Sequence, residues 1–391
     1  MSTANTTAQK KVLVISPIAT HPANAGNRIR IFQMLEIIRR LGYAVHFAYL
    51  PQNTQEDKGV TAMRRYWKDR FHTAVNAKCR GKIPAIRKVG AQVRKLDDWY
   101  DHAFDGFLTG LSTSLRPDVV LVEYALYSKV FEFFGRRTLK VIDTHDILAN
   151  RRQRLESYGI KYPDPVPSLS LEEEKQALNR ADAIIAIQDH ERDYFSRLTD
   201  KKVLTVGHYV EQVHPSFRRG NRDVLLFVGS RSRIGKHNIE FFLERIFPLI
   251  RKRLPRARLL IAGRICELMK NNTVACGKLG YVENLKKIFQ TSGVFINADI
   301  FATGLSIKTI TALGYACPVV TTSMGARGLE DGINDAFWVA DNPVLFAEKV
   351  IELLTNSSAA CRLSARAFKY IREYNRRVVQ GVSDLFAEKA V

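Results

Sequence analysis

The chain has 391 residues, and its 60 Lys and Arg against 39 Asp and Glu give a formal net charge of +21. Hydrophobic residues make up 46% of the composition, which excludes wholesale disorder. No apolar run reaches the roughly 18 residues of a membrane-spanning helix, and residues 1–10 lack an apolar signal core. We therefore expect a cytoplasmic protein, and the length favours two domains.

The five cysteines are an odd and dispersed set without a Cys-x-x-Cys pair: Cys79, Cys266, Cys276, Cys317 and Cys361. This spacing does not indicate a disulfide framework or a structural zinc site, and it suits a reducing compartment. We expect most of these side chains to be small buried hydrophobes.

The N-terminal half alternates short apolar runs with helical patterns. Residues 11–16 (KVLVIS) predict a buried strand, a helix follows up to about Gly42, and further strands are predicted at 44–50, 118–122, 139–142, 183–187 and 203–206. Such alternation indicates a parallel sheet covered by helices on both faces. We predict one doubly wound, Rossmann-like domain over residues 1–212.

An insertion at about 58–100 carries much of the positive charge. Residues 58–95 hold twelve Lys and Arg side chains but a single acid, Asp69. Apolar residues at helical spacing predict two amphipathic helices, the first with Met63, Trp67 and Phe71 and the second from Ile86 to Leu96. Basic amphipathic helices are typical of anchors at anionic membrane surfaces. A solvated helical face and a nucleic-acid surface are the alternatives.

A polar stretch around 208–222 predicts the domain boundary, and a second alternating series follows it. Strands are predicted at 224–228, 258–261, 294–297 and 318–321, with helices at about 238–253, at 305–315 and after Pro343 and Ser357. We predict a second doubly wound α/β domain over 222–375 and a C-terminal helix over 376–391 that returns to the first domain. The two domains would face one cleft, because open parallel sheets bind ligands at the carboxyl ends of their strands.

Two strand-to-helix loops of the second domain carry candidate anion-binding residues. Residues 301–308 (FATGLSIK) combine small side chains with the start of a helix, whose free N–H groups attract a phosphate. Residues 228–236 (VGSRSRIGK) end at Lys236, which with two arginines can neutralise a diphosphate. A tight turn at Gly304 and a solvated basic loop are the ordinary alternatives.

Two polar loops of the first domain are the other candidates. Gly26 and Asn27 follow the first strand, where main-chain N–H groups can face an anionic or sugar oxygen. The cluster 143–146 (DTHD) follows a later strand, so that His145 can bind a sugar hydroxyl or relay a proton. A structural turn and a metal site are alternatives for this cluster.

Five segments in order resemble the donor-binding domain of GT-B-fold glycosyltransferases, particularly the retaining family 4: 225–230 (LLFVGS), 248–263, 279–297, 302–322 and 325–329 (GARGL). The first domain is similar to the acceptor half of that family through Gly26 and His145. The resemblance implies a nucleotide-sugar donor, transfer with retention of anomeric configuration, and no metal or other cofactor.

The resemblance also assigns roles to residues. It implies that the helix start at Thr303–Leu305 and Lys236 bind the donor phosphates, that Gly26 meets the donor from the first domain and that His145 lies near the sugar. Together with the loop patterns above, we predict that His145 and Lys236 are catalytic and that the donor is bound by Gly26, Asn27, Gly229, Arg231, Arg233, Lys236, Gly263, Thr303, Gly304, Leu305, Lys308 and Thr311. Two departures stand out: Thr303 and Thr311 occupy the positions of two family glutamates, and Ser230 replaces a frequent arginine.

We therefore predict a glycosyltransferase at the inner face of the plasma membrane. Its partners would be a nucleotide-sugar donor, a lipid-linked or glycan acceptor in surface polysaccharide biosynthesis and an anionic membrane, with no nucleic acid. Thr311 favours an alternative, a catalytically inactive glycan-binding or scaffold relative. The charge favours a nucleic-acid-binding protein, and a GT-B epimerase is a third alternative.

Overall fold

The computed structural model describes residues 9–51, 58–74, 95–159, 167–215, 221–269, 275–301 and 304–387. The chain divides into two compact units, one ending at His208 but including the residues from Val378 onward, and the other spanning Tyr209–Arg377. The division thus falls at the start of the polar stretch that the sequence suggests as the boundary. Residues 75–94, with most of the second predicted amphipathic helix, lie outside the described part of the chain.

The first unit contains a seven-stranded, all-parallel sheet with the order β3-β2-β1-β4-β5-β6-β7. Val12, Leu13 and Val14 in the central strand have no exposed surface, as a sheet covered on both faces requires. The strands are β1 Lys11–Ser16, β2 Ala44–Tyr49, β3 Phe71–Thr73, β4 Val119–Glu123, β5 Leu139–Asp143, β6 Ala183–Ala186 and β7 Lys202–Thr205.

Six α-helices lie in the described residues of the first unit. They are α1 Gly26–Arg40, α2 Lys58–Trp67, α3 Asp105–Leu115, α4 Arg151–Ser157, α5 Leu171–Asn179 and α6 Asp189–Phe195. A 3₁₀ segment, Ala125–Phe133, directly follows β4. Helix α5 starts at a capping box in which Ser170 and Glu173 each accept the other's backbone N–H.

The second unit contains a six-stranded parallel sheet with the order β10-β9-β8-β11-β12-β13. Its strands are β8 Asn221–Val228, β9 Arg258–Ala262, β10 Cys276–Gly280, β11 Ser292–Asn297, β12 Val319–Thr321 and β13 Trp338–Val339. Every strand that the sequence predicts is present in the two sheets. The three that it misses, β3, β10 and β13, are all edge strands.

The second unit carries α7 Arg233–Phe241, α8 Phe247–Arg253, α9 Lys286–Thr291, α10 Ile307–Gly314, α11 Pro343–Thr355 and most of α12 Ser357–Ala387. The single helix predicted at 238–253 is interrupted by a π turn, Phe242–Ile246, just before Pro248, because proline has no N–H to continue the helical ladder. The helix predicted after Ser357 and the C-terminal helix predicted over 376–391 form one continuous helix, α12, whose residues from Val378 onward group with the first unit.

The apolar face of α2 packs inside its own unit. Met63 has no exposed surface, and the Trp67 indole stacks on Phe47 with ring centroids 5.8 Å apart. The Trp67 Nε1–H also donates to Thr20 Oγ1 at 3.0 Å. The prediction that this apolar face enters a membrane is therefore wrong, because periodicity reveals an apolar face but not what covers it. Within the described ranges, no helix combines the length and apolarity needed to cross a bilayer.

Two of the four described cysteines are buried, fewer than expected. Cys276 and Cys317 are buried, Cys266 is half-buried and Cys361 is exposed. None of these four forms a disulfide within the described ranges.

Candidate functional site

A buried charged cluster lies at the carboxyl ends of β4 and β5. Glu123 ends β4 and Asp143 ends β5, and the two residues are partners in the parallel register. His145 follows two residues later, with Nε2 2.5 Å from Glu123 Oε2 and 3.7 Å from Asp143 Oδ2. Both carboxylates are fully buried and the imidazole is 6% exposed. The structure thus places His145 in a charged cluster whose other carboxylate, Glu123, the sequence did not single out.

Arg30 of α1 supplies the compensating positive charge. Its Nε and Nη2 donate to the two Asp143 carboxylate oxygens at 3.1 and 2.8 Å. The guanidinium also donates to the carbonyls of Val206 and Gly207 at 3.1 and 2.9 Å. Such a bidentate pair with further hydrogen bonds is what a buried charge requires. The signal in the sequence was an arginine within an apolar helical pattern, between Ile29 and Ile31.

Tyr124 links His145 to the start of α1. The two rings stack with centroids 4.2 Å apart, and Asn27 Nδ2 donates to the Tyr124 hydroxyl at 3.2 Å. Tyr124 and His145 have φ values of +72° and +63°, a backbone conformation that costs non-glycine residues about 1–3 kcal/mol. The structure therefore brings Asn27 and His145 together through a tyrosine. Gly26 is the first residue of α1 itself and does not lie in a separate turn.

Burial shifts several pKa values in this region. Burial, opposed by the hydrogen bond from His145, raises the pKa of Glu123. Burial also raises the pKa of Glu191 to about 7, and burial with the nearby Arg30 lowers the pKa of His208 to about 3. Perturbed titratable groups concentrate at functional sites, so the first unit's cluster is a candidate site on electrostatic grounds as well.

The donor set of the cluster does not favour a divalent cation. Glu123, Asp143 and His145 offer ligand atoms within 4.8 Å of one another. However, both Asp143 oxygens accept hydrogen bonds from Arg30, so a metal would have to displace that guanidinium. The cluster is therefore satisfied as a hydrogen-bonded ion network without a metal.

In the second unit, the loops after β8 and β9 approach each other closely. Gly263 has φ +97°, and a Cβ at this position would lie 2.2 Å from the carbonyl oxygen of Gly229. The same carbonyl accepts a hydrogen bond from Ile265 N at 3.2 Å. Only glycine fits at 263, and the two predicted glycines are thereby placed together at the carboxyl ends of neighbouring strands.

The predicted cations of the second unit lie at the start of α7. Ser232 caps this helix by accepting from Gly235 N at 2.9 Å, and Arg233 is its first residue. Lys236 Nζ lies 3.3 Å from Glu240 Oε1, and Arg231 Nε lies 3.3 Å from Glu267 Oε2. These pairs are solvent-accessible and weak, so an anion can compete for either cation.

Helix α10 begins at Ile307, later than the predicted start at Thr303–Leu305. Gly304 has φ +67° and Leu305 is buried, so the chain turns before the helix starts. Thr303 lies outside the described residues. The helix begins later than predicted because Gly304 has a left-handed backbone conformation, which helical residues do not adopt.

Lys308 and Thr311 have partners within their own unit. Lys308 Nζ lies 2.6 Å from Asp299 Oδ1, which also accepts from Asn238 Nδ2 at 2.7 Å. Thr311 Oγ1 donates to the carbonyl of Ile307 one turn earlier, at 2.6 Å. Both side chains therefore already have hydrogen-bond partners, which a donor nucleotide would have to replace.

A buried hydroxyl and amide network beside α10 was missed by the sequence analysis. Asn297 Nδ2 donates to Ser306 Oγ at 3.1 Å and to Thr309 Oγ1 at 2.9 Å, and Thr309 Oγ1 donates to the Gly325 carbonyl. Within the described residues, Asn297 Oδ1 has no hydrogen-bond partner. The available signal was a polar residue ending the apolar strand 292–297 (SGVFIN).

Residues 222–356 match the protein family described as "Glycosyl transferases group 1". This region spans the second sheet and the loops that carry Gly229, Lys236, Gly263 and Lys308. Two helix-flanked parallel sheets give the chain the GT-B fold, and the family match marks its second unit as a domain of the glycosyl transferases group 1 type.

Particular relatives are distant but cover nearly the whole chain. An uncharacterized 44.6 kDa protein in the cps region of Klebsiella pneumoniae is 22% identical, over 97% of this chain and 99% of the relative. The crystal structure of TarM has a TM-score of 0.71 at 12% identity, covering 98% of this chain and 99% of TarM.

Two similar structures contain bound molecules. An S. aureus TarM variant, in complex with fondaparinux, α-GlcNAc-glycerol and UDP, has a TM-score of 0.68 at 12% identity and covers 97% of this chain and 100% of its own. The pneumococcal O-GlcNAc transferase GtfA, in complex with UDP and GlcNAc, also has a TM-score of 0.68, at 9% identity, with coverage of 97% and 100%.

Proposed function

We propose that the protein transfers a sugar from a nucleotide-sugar donor that binds in the second unit. The observation that carries the proposal is the joined pair of loops at Gly229 and Gly263, with Lys236 at the start of the following helix. Close backbone approach and an accessible cation are what a diphosphate needs. The family match covers the same residues, and two similar structures contain UDP.

The proposed chemistry uses positioning and electrostatic stabilisation, without a cofactor. As the sugar leaves the donor, negative charge develops on the nucleoside diphosphate, and Lys236 with Arg231 neutralises it. His145 binds a hydroxyl of the sugar, and the uncapped start of α1 at Gly26 and Asn27 offers N–H groups to an anionic or sugar oxygen. The resemblance to family 4 favours retention of anomeric configuration.

A thermal-shift screen tests donor binding. UDP, GDP, ADP and dTDP and their common sugar conjugates are added at increasing concentration. A ligand at 100 times its Kd stabilises the native state by about 2.7 kcal/mol, so one nucleotide base should raise Tm clearly above the others. Release of that nucleoside diphosphate is then measured, and NMR of the product's anomeric proton tests retention. No shift with any nucleotide would overturn the proposed donor site.

We also propose that the acceptor is lipid-linked and belongs to the synthesis of a surface polysaccharide. The cps-region relative supports this assignment, because it aligns over nearly all of both chains. With a labelled donor sugar and membranes from the source cells, label should pass into the fraction that organic solvent extracts. Label that stays in free sugar or in a water-soluble oligosaccharide would contradict a lipid-linked acceptor.

The proposed location is the cytoplasmic face of the plasma membrane, where basic side chains would bind the protein to anionic lipids. Arg64 and Arg65 on α2 are exposed, although the apolar face of that helix is buried. Vesicles containing an anionic lipid should sediment the protein at low salt, and the charge reversals Arg64→Glu and Arg65→Glu should weaken this binding. The matched control reverses Lys252 and Arg253, exposed at the end of α8. An equal loss in both variants would point to net charge and not to this helix.

A catalytically inactive relative is the second candidate. It is favoured by Thr311, whose hydroxyl donates to its own helix where the family places a glutamate. Nucleotide-sugar binding without any turnover, with or without acceptor membranes, would favour this candidate over the enzyme.

A further inference from the structure

Among the described residues, the Glu123 carboxylate makes one hydrogen bond, and its partner is His145. The Glu123 Oε2 to His145 Nε2 distance of 2.5 Å is the shortest of the contacts around the imidazole. Asp143 cannot replace Glu123 in this role, because it lies 3.7 Å from Nε2 and Arg30 engages both of its oxygens. One ring nitrogen of His145 is thus held by a single carboxylate.

The remaining contacts fix the plane of the imidazole. Tyr124 covers one face of the ring, nearly parallel to it at an interplanar angle of 13°. The Tyr124 hydroxyl is itself held by Asn27. With one nitrogen on Glu123 and one face on Tyr124, the imidazole has little freedom to rotate or flip. In the described part of the chain, no hydrogen bond is made by Nδ1.

We propose that Glu123 is a positioning residue, which holds the Nε2–H of His145 so that Nδ1 is the nitrogen presented to a sugar hydroxyl. The tautomer of a functional histidine is set by the hydrogen bond that its other nitrogen makes. Only the identity of the group that meets Nδ1 rests on the proposed function. The orientation of the ring and the proton on Nε2 do not depend on it.

The charged and titratable groups around the ring come from several elements. Glu123 comes from β4, Tyr124 from the segment after it, Asp143 from β5 and Arg30 from α1, and His208 lies close enough to interact electrostatically. The Arg30–Asp143 pair cancels its own charge, which leaves Glu123 as the carboxylate that decides which imidazole nitrogen carries the proton.

NMR of the full chain with ¹⁵N-labelled histidine tests this assignment without any substrate. The His145 signals are identified by their loss in His145→Asn. At pH 7, we expect Nε2 of the wild-type protein to be protonated. An unprotonated Nε2 would overturn the proposal.

Two substitutions at Glu123 separate positioning from structure. Glu123→Gln keeps an acceptor oxygen and should keep the Nε2–H, whereas Glu123→Leu should give a mixture of tautomers. Unchanged His21 and His208 signals show that the variant is folded. If the Leu variant folds and keeps the wild-type His145 spectrum, Glu123 does not position the ring.

Kinetic measurements then test whether the orientation of the His145 ring affects turnover. With a donor that the protein hydrolyses, Glu123→Leu should lower kcat about 10- to 100-fold with little change in nucleoside diphosphate affinity. The Glu123→Gln variant should lose less of its kcat. An equal loss of diphosphate affinity would contradict a positioning role. Absence of any hydrolysable donor would refute the proposed function, while the NMR result would stand on its own.

Discussion

The ammonium group of Lys308 lies 2.6 Å from Oδ1 of Asp299, the same oxygen that accepts the Asn238 amide at 2.7 Å. This buried carboxylate therefore ties α10 and α7 to the loop that follows β11. Sequence reasoning assigned Lys308 to the donor, but its charge is already paired. We infer that Lys308 and Asp299 support the loops of the proposed donor site.

Replacement of Asp299 should therefore destabilise the second unit. Asp299→Ala leaves the Lys308 ammonium and the Asn238 amide without their shared acceptor. Because Lys308 is 23% exposed, we expect a loss of about 1–3 kcal/mol in the free energy of unfolding, less than for a wholly buried pair. Urea unfolding measures this loss. Asp341→Ala, which removes two bonds to the exposed Ser323, is the matched control and should cost under about 1 kcal/mol. Equal losses would contradict the structural role.

Lys236→Ala should weaken nucleotide binding without weakening the fold. Its exposed pair with Glu240 contributes about 0.3–0.5 kcal/mol, whereas a charged contact to a diphosphate contributes about 1.5–3 kcal/mol. We expect a 10- to 100-fold loss of affinity for the preferred nucleoside diphosphate, measured by calorimetry. Glu240→Ala removes the same ion pair but keeps the cation, so its affinity should not fall. If Lys236→Ala binds as tightly as the wild type, the diphosphate does not contact this lysine.

Thr311→Glu tests whether the pocket has kept the family geometry. A carboxylate at this position should accept hydrogen bonds from the ribose diol, and we expect about a tenfold gain in nucleoside diphosphate affinity. Thr311→Val removes only the hydroxyl that bonds to Ile307, and so controls for the local change in the helix. The gain should vanish with a 2′,3′-dideoxynucleotide. A gain that persists with that analogue cannot come from the diol.

Glu191 should make stability depend on pH. Burial raises the pKa of this carboxyl from 4.5 to about 7, so its favourable neutral state is lost as the pH rises through that range. Glu191→Gln stays neutral, and we expect it to be more stable than the wild type by about 2 kcal/mol at pH 8.5, with little difference near pH 4.5. Denaturant unfolding at several pH values measures this. Glu240→Gln, at a half-buried position on α7, is the matched control. A Glu191→Gln difference that is constant with pH would contradict the account.

Much of the fold was predictable because its central strands are unambiguous. The runs that became β1 and β4 are continuous and apolar, as strands buried on both faces must be. The missed strands have no such pattern: β13 has two residues, and β10 contains two glycines in five positions. An edge strand forms mainly because a neighbouring strand pairs with it, so its own composition is a weak signal.

The sequence predicted the site residues that lie in loop motifs, but not those that come together only through the pairing of distant segments. His145 and Gly263 follow apolar strands directly, so the sequence indicates them. Arg30 meets Asp143 across 113 positions, and Glu123 meets His145 only because β4 and β5 are neighbours in register. Long-range contacts of this kind leave no local spacing to detect.

Hydrogen exchange with mass spectrometry tests the central claim most directly, because it shows where a nucleotide binds. The protein is compared with and without a saturating concentration of its preferred nucleoside diphosphate. We predict slower exchange in peptides that cover residues 228–236 and 304–311, and a loss of this protection in Lys236→Ala. Protection confined to the first unit, or none within residues 222–356, would contradict a donor site in the second unit.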